Sequence, residues 1–355
     1  MRSRLRGTKQ RFLTVLLLLL AVAVVAAGCG GADQAQEAAA SGRPADATLV
    51  IGAYSVVKDA MAEIIPRFQA KWEAETGQKV EFQESYEASG TQARAIAGGF
   101  EADVTMLAME GDIQKLVSAG LVSPQWKERK HRGMITRSIV VLGTREGNPL
   151  GITDFADLTK PGVKVLYPNP KTSGGAQWDI NAIYGAGLKM SEEQGKKDPA
   201  AAKQFLEAVH RNVESLDKSG RASMAAFEYG VGDVIVTYEN ELLARIAKGV
   251  KYDIVVPKHT ILIENPAAVV DKNVDKHGNR KLAEAFVDFL QSEEAQRIFA
   301  ENGFRAVDDK VFKETESRFP QPSGLFDINY LGGWDKVRDE LYSKRGIWYQ
   351  VLAGL

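Results

Sequence analysis

Short apolar runs alternate with amphipathic stretches along most of this chain. TLVIGAY (48–54), KVEFQESY (79–86), ADVTMLAM (102–109) and KVLYP (164–168) are short, rich in β-branched and aromatic residues and bounded by polar turns. Such runs predict strands. Between them, 58–76, 91–98 and 112–119 carry apolar residues at helical spacing. RSIVVLGT (137–144) is a further strand, after which a second series begins. It comprises a helix after NPKTSGG, a helix over 199–213, the strand GDVIVTYEN (232–240), the β run YDIVVPKHTILIENPAAVV (252–270) and an amphipathic helix over 280–291. The alternation predicts an α/β fold with a mainly parallel sheet. Two α/β series joined by two β-rich crossings predict two lobes and a cleft. Lobe 1 is expected to take 48–138 and 261–340, lobe 2 139–260, and a C-terminal extension 341–355. In open α/β sheets, ligands sit outside the carboxyl ends of the strands.

The start of the chain follows a different pattern. Arg2, Arg4, Arg6, Lys9 and Arg11 precede the apolar run FLTVLLLLLAVAVVAA (12–27). A basic region, an apolar region and small residues before a cleavage point make a secretory signal over 1–28. The run is shorter than the ~20 residues of a spanning helix. Cys29 is the only cysteine, which excludes an internal disulfide. Its place after Ala26-Ala27-Gly28 looks like a bacterial lipobox, with Cys29 as the lipidated first residue. The segment 29–47, small and polar, reads as a flexible tether. Loss of the signal leaves 40 basic against 46 acidic residues, a formal charge of −6. That balance argues against nucleic acid as a partner. An acidic protein that holds an anion needs local donors, because its overall field repels the ligand.

Candidate donors occur at strand ends. Around Asn169-Pro170-Lys171-Thr172-Ser173-Gly174-Gly175, Pro168 and Pro170 end a strand, Ser173 is a good N-cap, and two glycines allow close backbone approach. The helix that follows offers unpaired N–H groups and its positive dipole end. A Walker-type phosphate loop requires Gly-Lys-Ser/Thr after its first glycine, and the order here is reversed. A capped helix without any ligand explains these residues equally well. Ser89-Gly90, after strand KVEFQ, opens another helix, and Ser219-Gly220-Arg221 precedes a third. Catalytic patterns are absent. The four histidines, His131, His210, His259 and His277, show no metal-ligand spacing. There is no Gly-x-Ser-x-Gly elbow, and Glu239 and Glu241 suit a helix start. No catalytic residue, metal or cofactor is expected.

At these residues the chain resembles the sulfate-binding proteins that serve bacterial ABC importers. Residues 169–175 reproduce their NPK[TS]SGG signature, and ESYEASGTQARAIAGGFEADV (84–104) is similar to their QSxGGSGxQARAxxxGxEADV segment. RSIVVLGTREGNP, SGRASMAAFEYGVGDVIVTYENELL and Leu331-Gly332-Gly333-Trp334 also correspond, so the match runs from about Leu49 to about Asp335. The resemblance implies a type II periplasmic-binding-protein fold whose hinged lobes close on an oxyanion. It implies ligand donors at Ser89, Gly90, Ser173, Gly174, Gly175, Gly220 and Tyr238, with Arg221 supporting the site without neutralising the ligand. It further implies a monomeric, extracytoplasmic receptor, lipid-anchored or periplasmic, that delivers sulfate to a membrane permease. Three features depart from the pattern. Gln177 stands where arginine is common, Tyr238 replaces the tryptophan of WENE, and Glu87-Ala88 replace glycines before Ser89. Glu87 is expected to face solvent. Thiosulfate, molybdate or phosphate is the alternative ligand, and an anion-dependent hydrolase or a sensory or adhesive surface protein the alternative class.

Overall fold

The computed structural model describes residues 45–354. The expected signal peptide (1–28), Cys29 and the expected tether up to residue 44 lie outside the described residues. Two compact units are distinguished, one of 45–48 with Gln69–Glu81 and one of Leu49–Phe68 with 82–354. The small unit is a helix end, a turn and a strand start. Gly77 takes φ +73° there, and Trp72 Nε1 donates to Gln78 Oε1 at 3.0 Å. Gln69 Nε2 donates to the Val80 carbonyl at 2.7 Å.

The large unit holds most of the sheet and the site discussed below. Among the described residues, nine strands run in chain order: β1 Ala47–Tyr54, β2 Val80–Glu87, β3 Val104–Met106, β4 Met134–Arg145, β5 Val165–Pro168, β6 Val213–Asp217, β7 Val234–Tyr238, β8 Tyr252–Val255 and β9 Leu262–Val269. Their spatial order is β2-β1-β3-β9-β4-β7-β5-β6, with β8 beside β4. Parallel pairing joins β1 to β3 and β5 to both β6 and β7. The sheet is nevertheless mixed rather than mainly parallel. Strand β4 runs antiparallel to β7, β8 and β9, and β9 antiparallel to β3. The cause is that β4 and β9 cross between the two parallel series instead of being fed by a crossover helix.

The helices are α1 Lys58–Thr76, α2 Ser89–Ala97, α3 Glu110–Ser118, α4 Gly174–Glu193, α5 Pro199–His210, α6 Gly220–Glu228, α7 Glu239–Ala247, α8 Asp271–His277, α9 Arg280–Leu290, α10 Glu293–Glu301, α11 Asp309–Thr315, α12 Gly333–Glu340 and α13 Ile347–Ala353. The helix expected over 199–213 ends at His210, and Val213–Asp217 forms β6 against β5. Sheet pairing overrides the helical continuation there. The long β run over 252–270 breaks after Val255, before Pro257, into β8 and β9. One buried cluster packs Ile96, Leu107, Leu116, Trp126, Met134 and Val270. Another packs Ile139, Val141, Leu166, Phe227, Ile235 and Leu242. Strand β4 feeds both, Met134 into the first and Ile139 into the second.

The DKHGN segment (275–279) lies at a helix end. It ends α8, capped by Gly278 at φ +70°, and His277 Nδ1 lies 2.7 Å from Asp103 Oδ1. Asp103, and after it Glu101, hold the His277 imidazole pKa above its ordinary value. A raised histidine stabilises the fold below its unfolded pKa of about 6.5, and the contribution is lost as pH rises through the folded value. Thermal unfolding followed against pH should therefore show a decline above about pH 6.5 that His277→Gln removes. An identical profile in the variant would refute the assignment.

Candidate functional site

Several helices begin at the ends of strands around one cavity. Strand β1 ends at Tyr54, the cap of a 3₁₀ turn over Ser55–Val57, and β2 is followed by Ala88, the cap of α2. After β5, Ser173 caps α4, its Oγ accepting from Ala176 N at 3.3 Å. After β6, Ser219 caps α6, its Oγ accepting from Ala222 N at 3.1 Å. Strand β7 runs directly into α7 through Tyr238. The sequence folds this way because a serine or tyrosine stands at, or a few residues after, each of these strand ends, just before a helical stretch. The first N–H groups of each helix have no acceptor within it, and the positive dipole ends point the same way. Tyr54, Ser55, Ser89, Ser173, Gly175, Asp179, Gly220, Tyr238 and Glu241 stand on the cavity wall. The space is about 370 Å³ including its mouth.

Hydrogen bonding decides which wall atoms are free. Ser89 Oγ donates to Asp112 Oδ2 at 2.5 Å and accepts from Ala108 N at 2.9 Å. Its hydroxyl proton is thus committed, and Ser89 can offer a ligand only its N–H. Lys115 Nζ donates to the other Asp112 oxygen at 2.6 Å. The Ala108 carbonyl accepts from Trp178 Nε1 and Asn265 Nδ2, at 2.7 and 2.8 Å. Ser173 Oγ acts as an acceptor in its cap, so its proton remains to be donated. The hydroxyls of Tyr54 and Tyr238 are buried near Thr136 and Asn265 but make no hydrogen bond of normal geometry, and burial pushes both phenols up. They stay neutral and can donate.

The expected site residues divide into two groups. Ser89, Ser173, Gly175, Gly220 and Tyr238 lie on the wall, whereas Gly90, Gly174 and Arg221 do not. The two glycines are contact points instead. A Cβ on Gly174 would sit 3.0 Å from Ala108 Cβ and 3.2 Å from Ser89 Cβ, and one on Gly90 would sit 3.0 Å from the Thr172 carbonyl oxygen. Glycine is needed for the start of α4 to approach the start of α2 this closely. Arg221 does not line the cavity but braces its wall. Its guanidinium lies 3.3 Å from Asp59 Oδ2, 3.4 Å from the Val56 carbonyl and 3.8 Å from Glu241 Oε1. It ties the start of α6 to the turn after β1.

Lys171 is exposed, and its Nζ stands over the Tyr349 ring at 5.1 Å. Gln177 Nε2 donates to the Pro170 carbonyl at 3.2 Å, and Glu87 is exposed as expected. Two parts of the wall were missed by sequence reasoning. The turn Tyr54-Ser55-Val56 carries the same signal as the other termini, a strand ending just before a serine. Asp179 had a signal too, as a lone charge in the apolar stretch AQWDINAIYGAGL. Among the described residues, no group of His, Cys, Asp or Glu is placed to hold a metal.

Comparison with known proteins defines the class first. The family of bacterial extracellular solute-binding proteins matches residues 49–305. The sulfate-binding protein of Synechococcus elongatus is 43% identical over 353 residues, 98% of each chain. A thiosulfate-binding protein of Pseudomonas aeruginosa is 34% identical, over 84% of this chain and 90% of its own. Among solved structures, the sulfate-binding protein SubI of Mycobacterium tuberculosis superposes with a TM-score of 0.77 at 34% identity, covering 84% of this chain and 100% of its own. The fold is thus a mixed α/β periplasmic-binding-protein fold. The chain belongs to the sulfate-binding protein family of bacterial extracellular solute-binding proteins, which are not enzymes.

Proposed function

We propose that this chain is an extracytoplasmic receptor that captures sulfate in the cavity described above and delivers it to an ABC import permease. The observation that carries the reading is the convergence of helix starts on one cavity whose free hydrogen-bonding atoms are mostly donors. Sulfate has only acceptors, and preorganised N–H dipoles can replace its water without a countercharge. The ligand donors are the N–H groups of Ser89, Gly175 and Gly220 and the hydroxyls of Ser173 and Tyr238. Gly90, Gly174 and Arg221 hold these groups in place. Two lobes, 48–138 with 261–340 and 139–260, would close on the ligand, which favours the shut form through the second set of contacts. The separate apolar clusters, both fed by β4, support that division. Cys29 would carry the lipid anchor.

A second reading is a thiosulfate receptor. It is favoured by Tyr238, whose hydroxyl can accept as well as donate, and by the similarity to a thiosulfate-binding protein. The test is calorimetric titration of the purified full chain with sulfate, followed by thiosulfate, phosphate and molybdate as competitors. Hydrogen phosphate would bring a proton to a donor wall, and an unpaired buried polar group costs ~1–3 kcal/mol. One-to-one sulfate binding that phosphate does not displace is therefore expected. Absence of sulfate heat, with another oxyanion binding, would overturn the sulfate assignment.

A further inference from the structure

We propose that Asp179 is a specificity-determining residue of this cavity, which must carry a proton for a fully ionised tetrahedral dianion to bind. The proposal rests on the oxyanion reading above and adds a condition to it. Two carboxyls stand on this wall, and Asp179, unlike Glu241 with its arginines, is unpaired. It lies on the cavity in the second turn of α4, its residue is 1% exposed, and its Oδ1 has no hydrogen-bond partner. As a carboxylate it would be an anion facing an anion. As a carboxylic acid it becomes one more donor.

The surroundings favour the acid. Tyr167 from β5, Tyr238 from the start of α7 and Tyr342 from the C-terminal segment surround it, and all three phenols are pushed up by burial. None brings a charge. His210 lies 2.6 Å from the Tyr167 hydroxyl, and burial holds its imidazole below the ordinary value. The Tyr342 hydroxyl contacts the Gln177 carbonyl and Asn181 Oδ1.

The remaining charges near the cavity are already matched. Asp112 pairs with Lys115, and Glu241 with Arg245 at 2.9 Å and Arg221 at 3.8 Å. Among the described residues, no cation forms an ion pair with Asp179. The start of α4 favours a carboxylate, but that effect falls off within the first turn, and Asp179 lies beyond it. Burial pushes the Asp179 carboxyl well above the ordinary range. The cavity is thus a donor site in acid and, once Asp179 ionises, a site with an inward-facing negative charge.

The expected result follows from linkage. Sulfate stays doubly ionised across the accessible range, so any change in its binding reflects the protein. Affinity should be constant at low pH and fall towards tenfold per pH unit above the carboxyl pKa of the unliganded protein. Calorimetric sulfate titrations of the full chain and of Asp179→Asn, from pH 5.5 to 9.5, test this. Asparagine keeps the shape and a donor. The variant should bind within about threefold of the parent in acid and show no alkaline decline, with thermal melting confirming its fold. Superimposable pH profiles would overturn the proposal. So would a folded variant that fails to bind at pH 5.5 while the parent binds. Absence of sulfate binding by both proteins at every pH would instead overturn the oxyanion reading, and the proposal with it.

Discussion

Replacing Glu239 with alanine is expected to lower stability by about 3–5 kcal/mol, the range for stranding one member of a buried ion pair. Glu239 and Arg305 are both essentially inaccessible, with side chains 1% and 3% exposed. Their fork has two bonds, Arg305 Nε to Glu239 Oε2 at 2.8 Å and Nη2 to Oε1 at 3.0 Å. The Pro320 carbonyl accepts a further Nη2 bond at 2.7 Å. Burial pushes the Glu239 carboxyl up, and Arg305 opposes that shift. Without Glu239 the guanidinium loses its countercharge in a place water does not reach. The pair also matters locally, because Glu239 is the first residue of α7 and immediately follows Tyr238. Urea unfolding should show a lower midpoint with little change in slope. The double variant Glu239→Leu with Arg305→Met should recover much of the loss, since neither charge is left behind. A single-variant loss below about 1 kcal/mol, the range of an exposed pair, would sink this account.

Removing the Ser173 hydroxyl is expected to weaken sulfate binding by roughly ten- to a hundredfold. A hydrogen bond to a charged group contributes about 1.5–3 kcal/mol, and each 1.4 kcal/mol is about a tenfold change. Ser173 is a cavity serine whose proton is free, because its oxygen serves α4 as the cap. Alanine would remove the cap as well, at about 1 kcal/mol of stability, whereas glycine costs only a few tenths. Ser173→Gly therefore isolates the lost donor, and its melting temperature should stay close to that of the parent. Ser89 provides the contrast. Its hydroxyl proton goes to Asp112, so Ser89→Ala acts indirectly, by leaving a buried carboxylate short of a donor. Unchanged sulfate affinity in Ser173→Gly would remove the hydroxyl from the site.

Much of the framework was legible before any coordinates. The apolar runs predicted β1, β4, β5 and β7 within a few residues, and the serine and glycine turns marked three helix starts that meet at the cavity. Those are local signals, because a strand end and an N-cap are each written in a few adjacent residues. The direction of β4 and β9 was not legible, since an apolar run carries no sign of whether its neighbour runs parallel or antiparallel. Strand β6 was hidden behind α5, because VESLD gains its strand state from pairing with β5 rather than from its own pattern.

The site divides along the same line. By itself, the sequence determined the class of chemistry: strand-end turns with N-caps and glycines, no nucleophile or metal pattern, and an NPKTSGG motif that carries the family. Only the tertiary structure decided what each residue of those turns does. It put Ser173 and Gly175 on the wall and Gly174 and Gly90 at close packing contacts, turned Arg221 towards Asp59, and sent Lys171 towards Tyr349. It also placed Asp179 on a wall of donors without a cation to pair it. The physical reason is that N-caps and turns depend on near neighbours, whereas burial, free hydrogen-bonding atoms and the charge state of a carboxyl depend on groups distant in sequence that folding brings together.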